Sequence, residues 1–521
     1  MAACFQQKKY RLFLLPGFCL AFFLLLIFAE TASAQKPTKI ELIRAETLEF
    51  DKHLKKDVRR LINNVKLKHD DAYMHCDSAY LYTDENRFDA FSNIYIIVSD
   101  SVFIWGDELQ YSGDTKIAEL HGNVRMVDGE TTLTSEHLFY DMQRNVAYYF
   151  TGGHIVSSEN KLNSLIGKYF TESKMFFFKD SVHLVNPDYT IYADTLKYNT
   201  QTEVAYFFGP TTIISDNNII YCENGWYDTK NDLARFSKNA YLKNEDQKLK
   251  GDSLFYDRNK GYGKALKNVS IQDFKENLVI HGQFGEYYEL TENSLVTDSA
   301  YLVKFFEKDS LFLNADTLKS LLDTCGEKRK LLGYYKVKFF KPDLQGLCDS
   351  IIFFFSDSTI NMHGSPVIWN EDNQISAAFI QIFLLNNTID RMHMKEHAFI
   401  ASQEDTSGFN QIKGDVMHAF FEDDNLHKID VFENGHTVYF VKEEDDTKTG
   451  VNISKASTMT IFLSNNQVNR IIFRAKPNAT LYPIDEVPED EMLLEGFKWL
   501  HFLRPTDQKD IFNWRTFPND N

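Results

Sequence analysis

A spacing of 29 residues constrains this chain more than any other feature. A small residue opens the same six-residue phrase at Gly106, Ser135, Ser164, Ala193, Cys222 and Gly251, each 29 residues after the last. The phrase runs small, acidic, any, Leu, any, Tyr. It reads Gly106-Asp107-Glu108-Leu109-Gln110-Tyr111, then Ser135-Glu136-His137-Leu138-Phe139-Tyr140. It returns as Ala193-Asp194-Thr195-Leu196-Lys197-Tyr198 and Gly251-Asp252-Ser253-Leu254-Phe255-Tyr256. The copy at Ser164 keeps the small residue and Tyr169 but loses the acid and the Leu. Outward, the small slot continues at Ala45 and Cys76, then at Gly282, Ala315, Cys348, Ala377, Gly414 and Ala456, in steps of 29 to 42 residues. That makes about 14 repeats. A period of this size marks stacked units, none of which buries its apolar face alone.

Within each phrase the alternation has period two, which is a strand signature. It predicts Asp194, Leu196 and Tyr198 on one face and Ala193, Thr195 and Lys197 on the other. A second element lies between the phrases, at Ile117 to Val127, Val146 to Ser157, Val204 to Ser215 and Leu233 to Asn244. Most copies carry Gly, Asn or Asp near the middle, which predicts a bend or bulge between two short strands. Asn145, Asn199, Asn231 and Asn259 mark turns after the Tyr strand. If each repeat adds one strand to each of two facing sheets, the product is a rolled, two-layered β array. Helical periodicity appears only at Asp490 to Phe502, within a tail of residues 481–521 that reads as a cap for the terminal edge.

The totals agree. Phe 44 and Tyr 26 against Pro 11 is a strand-rich composition, not a disordered one. A net charge of −18 with no basic run argues against nucleic acid and against a polybasic membrane contact. Lys8, Lys9 and Arg11, an apolar stretch from Leu12 to Phe28, and Ala32-Ser33-Ala34 read as a cleaved export signal over residues 1–34. An uncleaved segment would instead anchor the chain in the inner membrane. Export puts Cys76, Cys222, Cys325 and Cys348 in an oxidising compartment. Three of them, Cys76, Cys222 and Cys348, occupy the small slot, where a thiol packs like Ala or Ser.

Catalytic signatures are weak. His393-Met394-Lys395-Glu396-His397 matches a zinc-peptidase pattern, but that chemistry needs both His on one helical face, and this segment reads as strand, turn, strand. The recurring acids could suggest a glycosidase pair. A catalytic pair is needed once, whereas a residue present in most repeats is structural, closing turns or accepting from backbone N–H groups. No catalytic residue, metal ligand or cofactor is assigned.

The A-D-x-L-x-Y strand, paired with a strand such as Gly122-Asn123-Val124-Arg125-Met126, resembles the OstA-like family, from about Lys39 to Leu481. That family includes the bridge protein LptA and the N-terminal domain of LptD, and the chain looks most like its long Bacteroidetes-type members. The resemblance implies an all-β, extended OstA/LptA-like β-jellyroll over residues 35–480. It implies a periplasmic protein whose apolar groove shields the acyl chains of lipid A. LptC-like and LptD-like jellyrolls would then be its partners in a bridge from inner to outer membrane. Candidate groove residues are Leu109, Tyr111, Leu138, Tyr140, Leu196, Tyr198, Leu254 and Tyr256. Acyl-chain burial contributes about 0.8 kcal/mol per CH₂ and needs no net positive charge. A charge at Leu196 is then expected to block transport more than folding. The competing readings are a surface-exposed structural or adhesive array and a β-helical polysaccharide-active enzyme.

Overall fold

The computed structural model describes residues 38–50, 58–215, 217–322, 329–386, 388–406, 408–422, 425–443, 447–464 and 467–515. The export signal and Cys325 lie outside them. The described residues form 38 strands and five 3₁₀ turns, with no α-helix among them, so the fold is all-β. Contacts divide the chain into one unit of residues 1–126 and 139–143 and a second of residues 127–138 and 144–521.

Both units are built in the same way. Successive strands pair antiparallel as hairpins, as in Val58–His69 with Ala72–Tyr82 and Leu278–Tyr288 with Tyr262–Asp273. The long strands are interrupted near their middle by a β-bulge that sets two residues on one strand against one on the next. In the first unit Ile62 pairs with Ser78 and Val65 with Cys76, so Asn63 and Asn64 stand against Asp77 alone. In the second, Lys267 and Asn268 stand against Gln283, and Glu396 and His397 against Asp415.

The two-residue side of these bulges is left-handed. Asn63-Asn64, Lys267-Asn268, Glu396-His397 and Glu433-Asn434 all have φ between 50° and 61°. Asn tolerates this region better than most residues, which is why it recurs here. The one-residue side is the acidic position of the sequence phrase. Its backbone N–H donates to the first left-handed carbonyl, as from Asp252 to Lys267 at 3.0 Å and from Asp316 to Tyr335 at 3.1 Å. Its carboxylate accepts from the Asn amide: Asp107 from Asn123 at 2.7 Å, Glu223 from Asn239 at 2.7 Å, Asp415 from Asn434 at 2.7 Å. The recurring acid is thus a bulge clasp.

The bulge corrects the expected faces. Ala193 and Leu196 both point into the core, while Asp194 and Lys197 are exposed, because the alternation reverses at the acid, where one residue faces two on each neighbouring strand. Each 29-residue step supplies two such strands, as in Met175–Val185 and Thr190–Asn199. The small slot sits under the neighbouring strand. A Cβ on Gly282 would lie 2.5 Å from Val296 Cγ1, and one on Gly414 2.4 Å from Val431 Cγ1. Cys76, Cys222 and Cys348 fill this slot as free, buried thiols. Burial pushes Cys76 and Cys222 up to about 12, and raises Cys348 as well.

At one end of the strands the turns stack. The N–H groups of Thr171, Thr200 and Thr229 donate to the carbonyls of Asn145, Lys174 and Glu203, with one such bond per 29-residue step. Inner residues of both strand halves, among them Ile280, Val296, Ile375, Ile400 and Ile461, belong to one apolar cluster in the second unit.

The tail does not form the expected helix over Asp490 to Phe502. It contains the 3₁₀ turns Glu489–Glu491 and His501–Leu503, and Gly496 is left-handed at φ 87°. Its backbone is bound elsewhere. Gln411 Nε2 donates to Met492 O at 2.8 Å and its Oε1 accepts from Leu494 N at 2.9 Å. Gln374 holds Lys498 O and Leu500 N in the same way, both at 2.7 Å. Gln345 Oε1 accepts from Arg504 Nε at 2.7 Å. These glutamines neighbour core residues such as Ile375 and Ile412, so they point to the opposite, outer face of the sheet. They are nonetheless at most 2% exposed, because the tail covers them. Leu494, Phe497 and Trp499 add apolar contact with Phe399, Val438 and Phe440.

Candidate functional site

The predicted groove residues lie on the inner face, in strands whose bulge turns the Leu and the Tyr inward. Leu109, Leu138 and Leu196 are at most 1% exposed, Leu254 is 6% exposed, and Tyr111 and Tyr140 are fully buried. Tyr198 and Tyr256 are half-buried. Leu196 sits between Phe178 and Phe207 on the flanking strands, and Leu254 between Phe236 and Ala265. Leu109 faces Ala90, and the Tyr111 ring lies 5.4 Å from Phe88. The interior around these residues is closely packed. A charge at Leu196 would therefore stand among aromatic side chains, at a cost to folding.

The tyrosines form a series. In the second unit Tyr169, Tyr198, Tyr227 and Tyr256 recur every 29 residues. Their rings enter the core: Tyr169 stacks on Phe176 at 4.0 Å, and Phe176 on Phe178 at 5.4 Å. Tyr198 bonds the Thr229 hydroxyl, and the other three hydroxyls reach carboxylates near the turns. Tyr169 donates to Asp128 at 2.7 Å, Tyr227 to Asp232 at 3.0 Å, and Tyr256 to Glu289. Lys174 completes the first of these with a 2.7 Å ion pair to Asp128. In the first unit Tyr111 Oη bonds His69 Nδ1 at 2.6 Å. Burial is the first cause that raises the pKa of Tyr111, Tyr198, Tyr227 and Tyr256. These hydroxyls stay protonated at neutral pH and act as hydrogen-bond anchors. The arrangement is an apolar interior with its polar atoms drawn to the turn edge.

The zinc-like motif is a strand feature. His393 to His397 lie in Thr388–Gln403, with Glu396 and His397 forming the left-handed side of a bulge, so the two His share no helical face. His393 stacks on His418 of the next strand at 3.9 Å. Burial first, then the His418 charge, lowers His393 to about 4.

Sequence reasoning missed the partners of the acids and the glutamine clasp. Paired Asn at the bulge was present as a signal, in Asn63-Asn64 and in the Asn of Gly122-Asn123 and Lys267-Asn268. The clasp also left a trace: Gln345, Gln374 and Gln411 each stand three residues before a small slot, in three successive repeats.

Residues 37–194 and 190–252 match the family described as OstA-like protein. The match ends well short of Leu481, the limit drawn from sequence. Among solved structures the chain is similar to LptH of Pseudomonas aeruginosa, described as the LptA-homologous periplasmic component of the conserved lipopolysaccharide transport device. The identity is 16%, over 20% of this chain and 81% of that one, with a TM-score of 0.20. No curated protein matches the chain.

Proposed function

We propose that this chain, whose residues 37–252 match the OstA-like family, is a periplasmic component of lipopolysaccharide transport. Its inner face would shield lipid A acyl chains, with the phosphates left in water. The observation that carries this reading is the recurrence of Tyr at each 29-residue step from Tyr111 to Tyr256, joined in four of those six repeats by the buried Leu109, Leu138, Leu196 and Leu254. Export through residues 1–34 is part of the proposal, and so is a covering role for residues 481–521, on the outer face of the sheet and not over its terminal edge. No helix among the described residues is long and apolar enough to cross a membrane.

Partners of the LptC-like and LptD-like kind would add at the ends. Among the described residues Glu41–Arg44 and Thr47–Glu49 pair only with Val58–His69. At the other end Gln467–Arg474 and Asn478–Pro483 pair only with Lys448–Ser464. Such edges accept a further strand by backbone pairing.

The test is a photo-crosslinking amino acid at Leu196, Tyr198 and Leu254, with Lys197 as the outward control. Capture of lipopolysaccharide at the inner positions and not at Lys197 is expected. Capture at none of them, in a folded and exported protein, would remove the reading. It would favour the second one, a structural β array, which the close packing around Leu196 supports.

A further inference from the structure

The chain carries a net charge of −18, yet one face of its first unit is cationic and aromatic. Side chains alternate along Val58–His69, Ala72–Tyr82, Arg87–Ile97 and Val102–Ser112. Leu67, Met74, Ile96 and Ile104 are buried on the inner side. On the outer side Lys66 stands opposite His75, His75 opposite Tyr95, and Tyr95 opposite Trp105. The Tyr95 ring stacks on Trp105 at 5.2 Å and on Phe103 at 6.2 Å. Lys66 Nζ lies 4.5 Å from the centroid of Tyr73, and the Arg125 guanidinium 5.3 Å from that of Trp105. All of these rings remain partly open to solvent.

The charge on this face is unbalanced. Among the described residues Lys66, Lys68 and Arg125 make no ion pair. Glu41 stands opposite Lys68 on the edge strand, and Arg44, opposite Lys66, offsets it. Burial, with the Lys66 charge second, holds the His75 imidazole below its ordinary pKa, so His75 adds a neutral flat ring.

The chemistry differs from that of the face that binds the tail. There the position three residues before the small slot is Gln345, Gln374 or Gln411, and each amide is spent on hydrogen bonds. Here the same position is Tyr73 or Phe103, and no glutamine stands there to hold a peptide backbone. Aromatic plates take the C–H face of a sugar ring, and Lys and Arg beside them pair with phosphate oxygens.

We propose that this outer face of the first unit is a binding site for a phosphorylated saccharide, the headgroup of the glycolipid whose chains the inner face shields. The identity of the saccharide rests on the proposed function; the aromatic and cationic chemistry does not.

Calorimetry on the full exported chain tests it. The probes are a bisphosphorylated glucosamine disaccharide without acyl chains, the same disaccharide without phosphate, inorganic phosphate, and phosphatidylglycerol vesicles. The bisphosphorylated sugar should bind best. Arg125→Gln, at an exposed position, should weaken it roughly tenfold, and Lys66→Gln with Arg125→Gln further. Tyr95→Ala with Trp105→Ala should abolish it, while Lys197→Gln in the second unit should leave it unchanged. The proposal is overturned if the bisphosphorylated sugar does not bind. It is also overturned if the sugar binds no better than its unphosphorylated form or phosphate alone, or binds equally to the Arg125→Gln protein. Vesicle binding that depends on Lys66 and Arg125, without saccharide binding, would assign the face to a membrane surface instead. Headgroup binding without acyl capture at Leu196 would sustain this site and sink the transport reading; the converse would do the reverse.

Discussion

Two stretches of the second unit share one plan and differ on one face. Around the slots Ala193, Cys222 and Gly251 the outer face is bare, and Tyr192 is 49% exposed. Around Cys348, Ala377 and Gly414 the tail lies on it, and the outer Val367, Trp369 and Ala401 are buried as fully as the inner Ile368 and Ile400. The bulge and the small slot occur in both stretches, since the bent strand needs them wherever it occurs. The position three before the slot is Thr190, Ile219 and Lys248 in the bare stretch and Gln345, Gln374 and Gln411 in the covered one. The inner face therefore answers to the fold and the outer face to whatever covers it.

Removing the cover should produce the largest effect. A chain ending at Pro483 uncovers Trp369, Phe399 and the three glutamines. Hydrogen exchange should rise across Val367 to Ala456 and stay unchanged across Thr190 to Asp257. Uniform exchange in both stretches would show that the tail holds nothing. Gln374→Leu with Gln411→Leu is the finer version. Each substitution leaves a tail N–H and a C=O without a partner, about 1–3 kcal/mol per unsatisfied group.

Leu196 and Lys197 divide inner from outer within one strand. Leu196→Asp sets an unpaired charge between Phe178 and Phe207 and should cost several kcal/mol in a urea titration. Lys197→Ala should change stability by less than about 0.5 kcal/mol. A stable Leu196→Asp protein would mean that the interior opens readily, which would favour the transport reading.

The fold is legible in the sequence because its signal repeats. The small slots read from sequence fall beside the observed bulges, including Gly282, Cys348 and Gly414 outside the regular 29-residue run. The faces are not legible, because a strict period of two runs straight through Asp194. The alternation reverses there because two residues of each neighbouring strand stand against Asp194 alone, and the phrase itself does not show it. The tail misleads for a related reason. Leu493, Leu494, Phe497 and Leu500 have helical spacing, but the backbone groups that would close a helix are taken by Gln374 and Gln411 from repeats far earlier in the chain. The inner-face candidates follow from the motif alone, whereas the cationic face needed Lys66, Tyr95, Trp105 and Arg125 brought together from four strands.

The small slot gives a middle-sized effect that should be equal in both stretches. Gly414→Ala and Gly282→Ala push a Cβ against Val431 and Val296, and should each cost about 1–3 kcal/mol. Cys222→Ala in the bare stretch and Cys348→Ala in the covered one shrink a side chain that already fits. Each should cost about 1 kcal/mol or less. Melting points of the parent chain should agree under oxidising and reducing conditions. A fall on reduction would show that these thiols are bonded in the exported protein.

The smallest expected effect lies at the bulge clasp. Asn268 has φ 50° and binds Asp252 in the bare stretch, and Asn434 has φ 52° and binds Asp415 in the covered one. Asn→Ala at either position puts a β-carbon in left-handed backbone, about 1 kcal/mol, and deletes one exposed hydrogen bond. Asn→Gly deletes the hydrogen bond alone, so the difference between Ala and Gly isolates the backbone cost. If bulge geometry is set within each repeat, that difference is the same at Asn268 and Asn434. If the tail holds the covered strands in their bent form, Asn434→Ala has less effect than Asn268→Ala, and the gap closes in the chain ending at Pro483. Equal costs with and without the tail would show that the cover fixes the outer surface and leaves the bend to the strands.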